Sequence, residues 1–430
     1  MFQQIKNNPI KKTIALCTIG GVLELFDFMI FVFFIDVFKQ VFFPNNSDFI
    51  ASLQVFAIFA IGYLARPIGG VIFAHMADKH GRKKPFSLTL CFMGLPALGM
   101  AALPGFATLG IFSPILFLLL RILQGLSLGG EFPTAVTIIT EHTTEKQRGF
   151  ATAILSAAAC IGVLLGSAVA MITHQVFSHA QLISWGWRLP FLFGALLAFF
   201  GVYLRRSMQE TIYFKHTAQV IERLPIATVF RYHFPQVLRA IGIGSVISFS
   251  SFCFLFWPHF LNTYFHYPLK ETLMINTIGL ILLIIFTLGF GLLSFRITRD
   301  VLFRYAGLAL IIFSYPLLIL WDQHSAWALF LSYFCFAIFF APVNAVYSGF
   351  IAELFPTRVC CSGVALSYNL TTALVCGSLP FIVTFACKWE NPLYVMLFGL
   401  IIAGILAFAC SPRKKMPTMI IDMGVVKNEG

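Results

Sequence analysis

Charge is scarce in this chain. Of its 430 residues only 11% are Asp, Glu, Lys or Arg, whereas soluble globular proteins carry about 25%. That shortage excludes a soluble enzyme. It equally excludes a disordered chain, which is poor in apolar residues. Metal-type spacing is missing too: there is no Cys-x-x-Cys and no Cys/His cluster. Cys17, Cys91, Cys160, Cys253, Cys335, Cys376 and Cys410 fall inside apolar runs and read as small buried hydrophobes. His174 and His179 are five apart without further ligands, so no metal and no cofactor are expected. A Gly-x-x-x-x-Gly-Lys phosphate loop is absent, which removes ATP as an energy source. No nucleophile with an oriented base lies in an apolar run, against a membrane hydrolase. No stretch is long enough for a soluble output domain, against a sensor.

What is present is apolar length. Hydrophobic residues make up 59% of the chain, 50 of them Phe, and the mean hydropathy is +0.88. At about 20 residues per crossing, the chain reads as an all-α polytopic membrane protein in a lipid bilayer. Twelve apolar segments fall at approximately 13–38, 51–75, 86–104, 113–140, 150–174, 187–205, 237–262, 271–295, 301–321, 325–350, 361–386 and 391–411. The first resembles a signal peptide, but its length and its Glu24 and Asp27 mark a retained helix. The longest polar stretch, 206–236, divides a six-helix half (1–205) from a second (237–411), with a tail at 412–430.

Twenty-three of the 29 Lys and Arg fall on one side of these spans and three on the other. The positive-inside rule then predicts that both termini are cytoplasmic. The net charge of +12 is accounted for by anionic lipid at that face and calls for no nucleic acid. A weak repeat supports the division. Glu141 and Arg148 follow span 4, Glu353 and Arg358 follow span 10, and the two glutamates are 212 residues apart. Halves related by an axis along the membrane normal are one transporter plan.

Loop 2–3 reads Asp78-Lys79-His80-Gly81-Arg82-Lys83-Lys84. Gly81 breaks the helix, and Asp78 in front of this basic turn is placed to pair with it and latch helix ends together. The gating set expected from these patterns is Asp78, Gly81, Arg82, Lys83, Glu141, Arg148, Glu353 and Arg358.

Charges inside the spans are costly, at least about 2.5–3.5 kcal/mol each at mid-bilayer. Glu24 and Asp27 share a face of span 1. Glu24, Arg66 and Glu131 lie about 14–16 Å above the inner surface, with Asp27 and Arg121 higher. Arg121, Gln124 and Glu131 fall on one arc of span 4. Two readings remain open: neutral ion pairs that pin helices, or carboxylates that exchange protons as an arginine partner comes and goes.

Several stretches together resemble the major facilitator superfamily, in its metabolite:proton symporter branch. They are the loop 2–3 run, Gly21-Val22-Leu23-Glu24-Leu25-Phe26-Asp27-Phe28, Ala65-Arg66-Pro67-Ile68-Gly69-Gly70, the Arg121–Glu131 run with Gln124-Gly125 and Gly129-Gly130, Trp185–Phe191, and Glu353–Arg358 with Ser362–Asn369. The resemblance covers nearly the whole chain. It implies the twelve-helix facilitator fold and proton coupling by a span 1 acid facing a span 4 arginine, here Asp27 and Arg121. Glu24, Arg66, Gln124 and Glu131 are then candidates for solute contact or relay. Trp257, His259, Asn344, Tyr347, Tyr368 and Asn369 either line the cavity or pack between helices. Departures are visible. Ala74 stands where the loop signature begins with Gly. The second-half copy has Phe295 in place of its acid and keeps Arg296 and Arg299. Leu25-Phe26 replace the Trp-Tyr of many relatives.

The expectation is a monomeric symporter of the bacterial cytoplasmic (inner) membrane that imports a small organic acid or zwitterion with H+. The alternative is an exporter of a metabolite, siderophore or drug with the same fold.

Overall fold

A computed structural model describes residues 9–208, 210 and 225–411. Lys6, residues 211–224 of the expected linker and the tail at 412–430 lie outside the described residues. Twelve helices are long and apolar enough to cross a membrane. Spans 1 to 6 are built on Pro9–Phe33, Asp48–His80, Lys83–Ala102, Phe112–His142, Glu145–Val176 and Arg188–Arg205. Spans 7 to 10 are Phe234–Phe265, Leu269–Leu293, Arg299–Ile319 and Ala326–Glu353. Span 11 starts at Cys360–Thr371, and span 12 is Pro392–Ala409. Among the described residues there is no strand. Lipid supplies no hydrogen bonds, so each crossing segment must satisfy its own backbone, and a helix does so.

Several boundaries differ from the apolar segments: span 2 runs on to His80, span 5 begins at Glu145, and spans 1, 7 and 11 differ in ways that shape the site. Span 1 stops at Phe33, and a separate amphipathic helix, Ile35–Phe42, packs Phe38 and Phe42 against Phe117 and Trp187. Span 7 begins at Phe234 with a proline in its first turn, where a missing N–H costs nothing. A short helix, Pro225–Tyr232, precedes it inside the expected linker. Span 11 is not one helix: it passes through a π turn at Thr372–Cys376 and resumes as Leu379–Ala386, with a proline in that first turn.

In the first half, span 4 packs on spans 1, 2 and 3, while span 1 packs on spans 5 and 6. In the second half, span 10 packs on spans 8 and 9, and span 7 on spans 8, 11 and 12. The two halves meet along spans 2 and 4 against 11, and span 5 against 8 and 10. Span 2 thus meets 11 much as span 8 meets 5, the exchange expected of a repeat about an axis along the membrane normal.

Candidate functional site

The buried charges of the first half do not gather in one cavity. They divide into three sets, and every acid and arginine in them is at most 2% exposed. In the first, Asp27 and Arg121 face each other without an ion-pair contact. Gln124 stands between them: its Nε2 donates to Asp27 Oδ2, and Arg121 donates to its Oε1 at 2.5 Å. The reason is one of spacing. Gln124 lies almost one turn along span 4 from Arg121, so its amide fills the gap to span 1. Arg121 rests over the rings of Phe28 and Phe31, 4.4 and 4.3 Å from their centres. Asp27 Oδ1 and Arg121 Nε and NH2 have no hydrogen-bond partner.

In the second set, Arg66 NH2 approaches Glu24 Oε1 to 3.9 Å, and neither carboxylate oxygen accepts a hydrogen bond. The guanidinium lies 5.4 Å from the ring centres of both Tyr63 and Tyr368. Tyr368 comes from span 11 and stacks on Phe132 of span 4 at 4.5 Å. The second set therefore sits on the seam between halves.

The third set corrects the expectation for Glu131. It is not free to meet solute: Arg205, the last residue of span 6, grips its carboxylate, and Thr89 donates to it as well. Arg205 also lies over Phe86, 3.4 Å from the ring centre, and donates to the Phe86 carbonyl. This is a closed, fully partnered pair joining spans 3, 4 and 6.

The second-half candidates separate likewise. Trp257 is not a cavity residue; it is the hub of an aromatic core with Trp321, Tyr333 and Phe336, and its Nε1 donates to Met396 Sδ at 3.3 Å. His259 is exposed. Asn344 bonds within its own half, to Ser250 Oγ at 3.4 Å and the Phe340 carbonyl at 3.2 Å. Tyr347 is buried beside Gly244, and its hydroxyl has no partner. Asn369 crosses the seam, donating to the Gly129 carbonyl at 2.7 Å. Pro133 explains that bond. A proline inside a helix leaves the carbonyl four residues earlier without its N–H partner, and here that carbonyl is Gly129. Gly129 itself is required, because a Cβ there would collide with the span 2 backbone at Arg66 and Gly70.

The residues expected to gate form two clusters at the loop 2–3 end. Asp78 accepts from the Cys361 and Ser362 N–H groups at 3.3 and 2.9 Å and from the Ser362 hydroxyl at 2.7 Å. A carboxylate of one half thus caps the helix N-terminus of the other. Arg82 pairs with Asp78 and with Glu141, each at 3.0 Å, and donates to the Thr357 carbonyl at 3.2 Å. Burial opposes the charge on Arg82, but Glu141 and Asp78 outweigh it and raise its pKa above the ordinary arginine value. Gly81 takes φ 98° at the turn, a conformation that favours glycine. Lys83 donates from Nζ to the Arg206 carbonyl at 3.0 Å. In the second cluster, Glu353 is held by Arg148 at 3.1 Å and Arg299 at 2.6 Å, and Arg299 also reaches the Glu145 carbonyl at 3.0 Å. Arg358 is exposed and is paired with none of the described acids. The place expected for it is taken by Arg299, the arginine left in loop 8–9 beside the missing acid.

Four contributors escaped sequence reasoning: Tyr63, Arg205, Arg299 and Glu210. Glu210 accepts from the Arg82 and Lys83 N–H groups at 2.8 and 3.1 Å, capping span 3. Only Arg299 had a visible signal, as a basic remnant of the repeat.

Two six-helix bundles, a seam carrying buried charge and polar latches closing one end of that seam define a transporter of small solutes rather than an enzyme. Residues 17–360 match the Major Facilitator Superfamily, and the chain belongs to that family. It is 34% identical to the alpha-ketoglutarate permease of Escherichia coli (strain K12), over 84% of each chain. It is 26% identical to the glycine betaine/proline/ectoine/pipecolic acid transporter OusA of Dickeya dadantii (strain 3937), over 94% of this chain and 82% of that one. The solved structure of the proton:xylose symporter XylE bound to 6-bromo-6-deoxy-D-glucose superposes with a TM-score of 0.79 at 17% identity, covering 94% of each chain.

Proposed function

We propose that this chain imports a small organic anion or zwitterion together with H+ by alternating access. The observation that carries the reading is the pair of open charge sets, Asp27–Gln124–Arg121 and Glu24–Arg66. Each leaves buried polar atoms without hydrogen bonds, in a setting where buried polar groups are almost always bonded. Arg66 and Arg121 are the donors for a solute carboxylate, Asp27 is the proton carrier, and Tyr63, Tyr368 and Tyr347 shape the space. Asp78 and Arg82 act on the conformational cycle. The relatives support this range of solutes, and the distribution of Lys and Arg supports cytoplasmic termini. The bacterial relatives support a setting in the cytoplasmic membrane, where the chain is expected to work as a monomer.

The test is uptake into proteoliposomes of labelled α-ketoglutarate, glycine betaine and proline under an imposed proton gradient, with a sodium gradient as control. Uphill accumulation of at least one solute driven by protons is expected. Accumulation driven by sodium alone, or transport in the export direction alone, would contradict the reading.

A further inference from the structure

The Asp27–Gln124–Arg121 chain has a direction that a bare ion pair lacks. A guanidinium only donates hydrogen bonds. The Gln124 amide must therefore turn its oxygen to Arg121 and its nitrogen to Asp27, as the contacts have it. Arg121 keeps its place without a carboxylate in contact, because the cation lies against the rings of both Phe28 and Phe31. Its Nε and NH2 stay unpartnered.

The surroundings of Asp27 isolate this unit. Span 4 presents Gln124 and Arg121, and span 6 presents Gly194 against Oδ1. Span 5 lays Gly162 and Gly166 on the backbone around Phe26, and span 3 presents Leu90 toward Leu23. One turn away on span 1, Glu24 faces Arg66. Glu131 is closed off by Arg205. Among the described residues Arg121 is the one charged group facing Asp27.

We propose that Gln124 is a positioning residue that transmits the protonation state of Asp27 to Arg121. A proton arriving from the aqueous side makes Asp27 a donor. The new O–H takes the Gln124 carbonyl oxygen as its acceptor, and the amide turns. Its NH2 group then faces Arg121 NH1, which loses its acceptor and joins Nε and NH2 in needing another. The solute carboxylate is that acceptor. The proton stays on Asp27 until the site opens to the other side, and no bond of the solute changes. The proposal rests on the proton-coupled reading above, and it deepens that reading by making solute affinity depend on protons through one amide.

The experiment uses the full chain in proteoliposomes and whichever of α-ketoglutarate, glycine betaine or proline the wild type accumulates. Obligate linkage to one proton makes KM rise by up to about tenfold per pH unit above the half-effect. Gln124→Leu, which can neither donate nor accept, is expected to flatten that dependence to about twofold or less. Gln124→Glu keeps the shape but loses the fixed donor to Asp27. Its half-effect is expected to move by about one pH unit, so it serves if the leucine variant fails to fold. The wild-type pH dependence of KM in whichever variants fold would overturn the proposal. Asp27→Asn is run alongside: if it accumulates solute normally, the proton-coupled reading itself fails. A readout that needs no solute is the infrared carboxylic-acid band removed by Asp27→Asn. Losing the Gln124 donor weakens the ionised form, so the band of Gln124→Leu must persist to higher pH than in the wild type. An unmoved band would also overturn the proposal.

Discussion

The two halves share a helix plan and differ in what they bury. The first half holds Glu24, Asp27, Glu131, Arg66, Arg121 and Arg205 at membrane depth, all but sealed from solvent. The second half packs Trp257, Trp321, Tyr333 and Phe336 in its own core, and its buried polar groups among the described residues are neutral ones such as Asn344, Tyr347 and Ser250. A neutral wall is cheaper to dehydrate than a charged one. On the proposed function, a half that closes over a solute can therefore be apolar, provided the other half carries the charge chemistry. The difference also separates roles within the charged half. The Glu131–Arg205 pair is fully partnered and structural, whereas the Asp27 and Glu24 sets are left open.

The sharpest break in that comparison is Asp27→Asn. Gradient-driven accumulation should be lost while counterflow exchange persists, measured as labelled solute retained in proteoliposomes with and without a proton gradient. Normal accumulation would remove Asp27 from the coupling step.

Next in size is the structural pair. Arg205→Ala strands the Glu131 carboxylate in the core, and breaking a buried pair from one side costs about 3–5 kcal/mol. Asn344→Ala removes two neutral hydrogen bonds, each worth about 1 kcal/mol or less. Thermal unfolding of the purified variants should therefore show a much larger drop for Arg205→Ala. Equal drops would mean that the pair does not pin spans 3, 4 and 6.

The latches should show in kinetics. Asp78→Asn weakens the cap on span 11, where such caps are worth about 0.5–2 kcal/mol. Turnover should change several-fold, with equilibrium affinity for solute nearly unchanged, measured by initial rates beside binding at equilibrium. A large affinity loss at unchanged turnover would place Asp78 elsewhere in the cycle. Asn369→Ala, which frees the Gly129 carbonyl across the seam, should give a smaller change of the same kind.

Much of this was legible in the chain. Twelve apolar runs are a property of composition along the sequence, and lipid forces such runs into helices. Asp78 and Arg82 were legible because they are four residues apart. What stayed hidden is long-range. Arg205 sits at a span end beside Arg206 and looks like an ordinary inner-face charge; only the fold brings it to Glu131, 74 residues earlier. The cap that Asp78 places on Ser362 joins residues 284 apart. Trp257 stayed open between lining the cavity and packing between helices, because periodicity cannot distinguish the face toward the seam from the face toward spans 9, 10 and 12. The break in span 11 was hidden because residues 372–376 read as apolar helix, and only Gly377 and Pro380 hinted at it.

The division of labour is tested most directly by the initial rate of uptake against external pH, measured for Arg121→Lys and Asn344→Ala beside the wild type. Lys cannot reproduce the planar, multi-donor fork of the guanidinium, so Arg121→Lys should displace the pH profile. Asn344→Ala should alter affinity or solute preference and leave the profile in place. A profile moved by Asn344→Ala and untouched by Arg121→Lys would contradict the account.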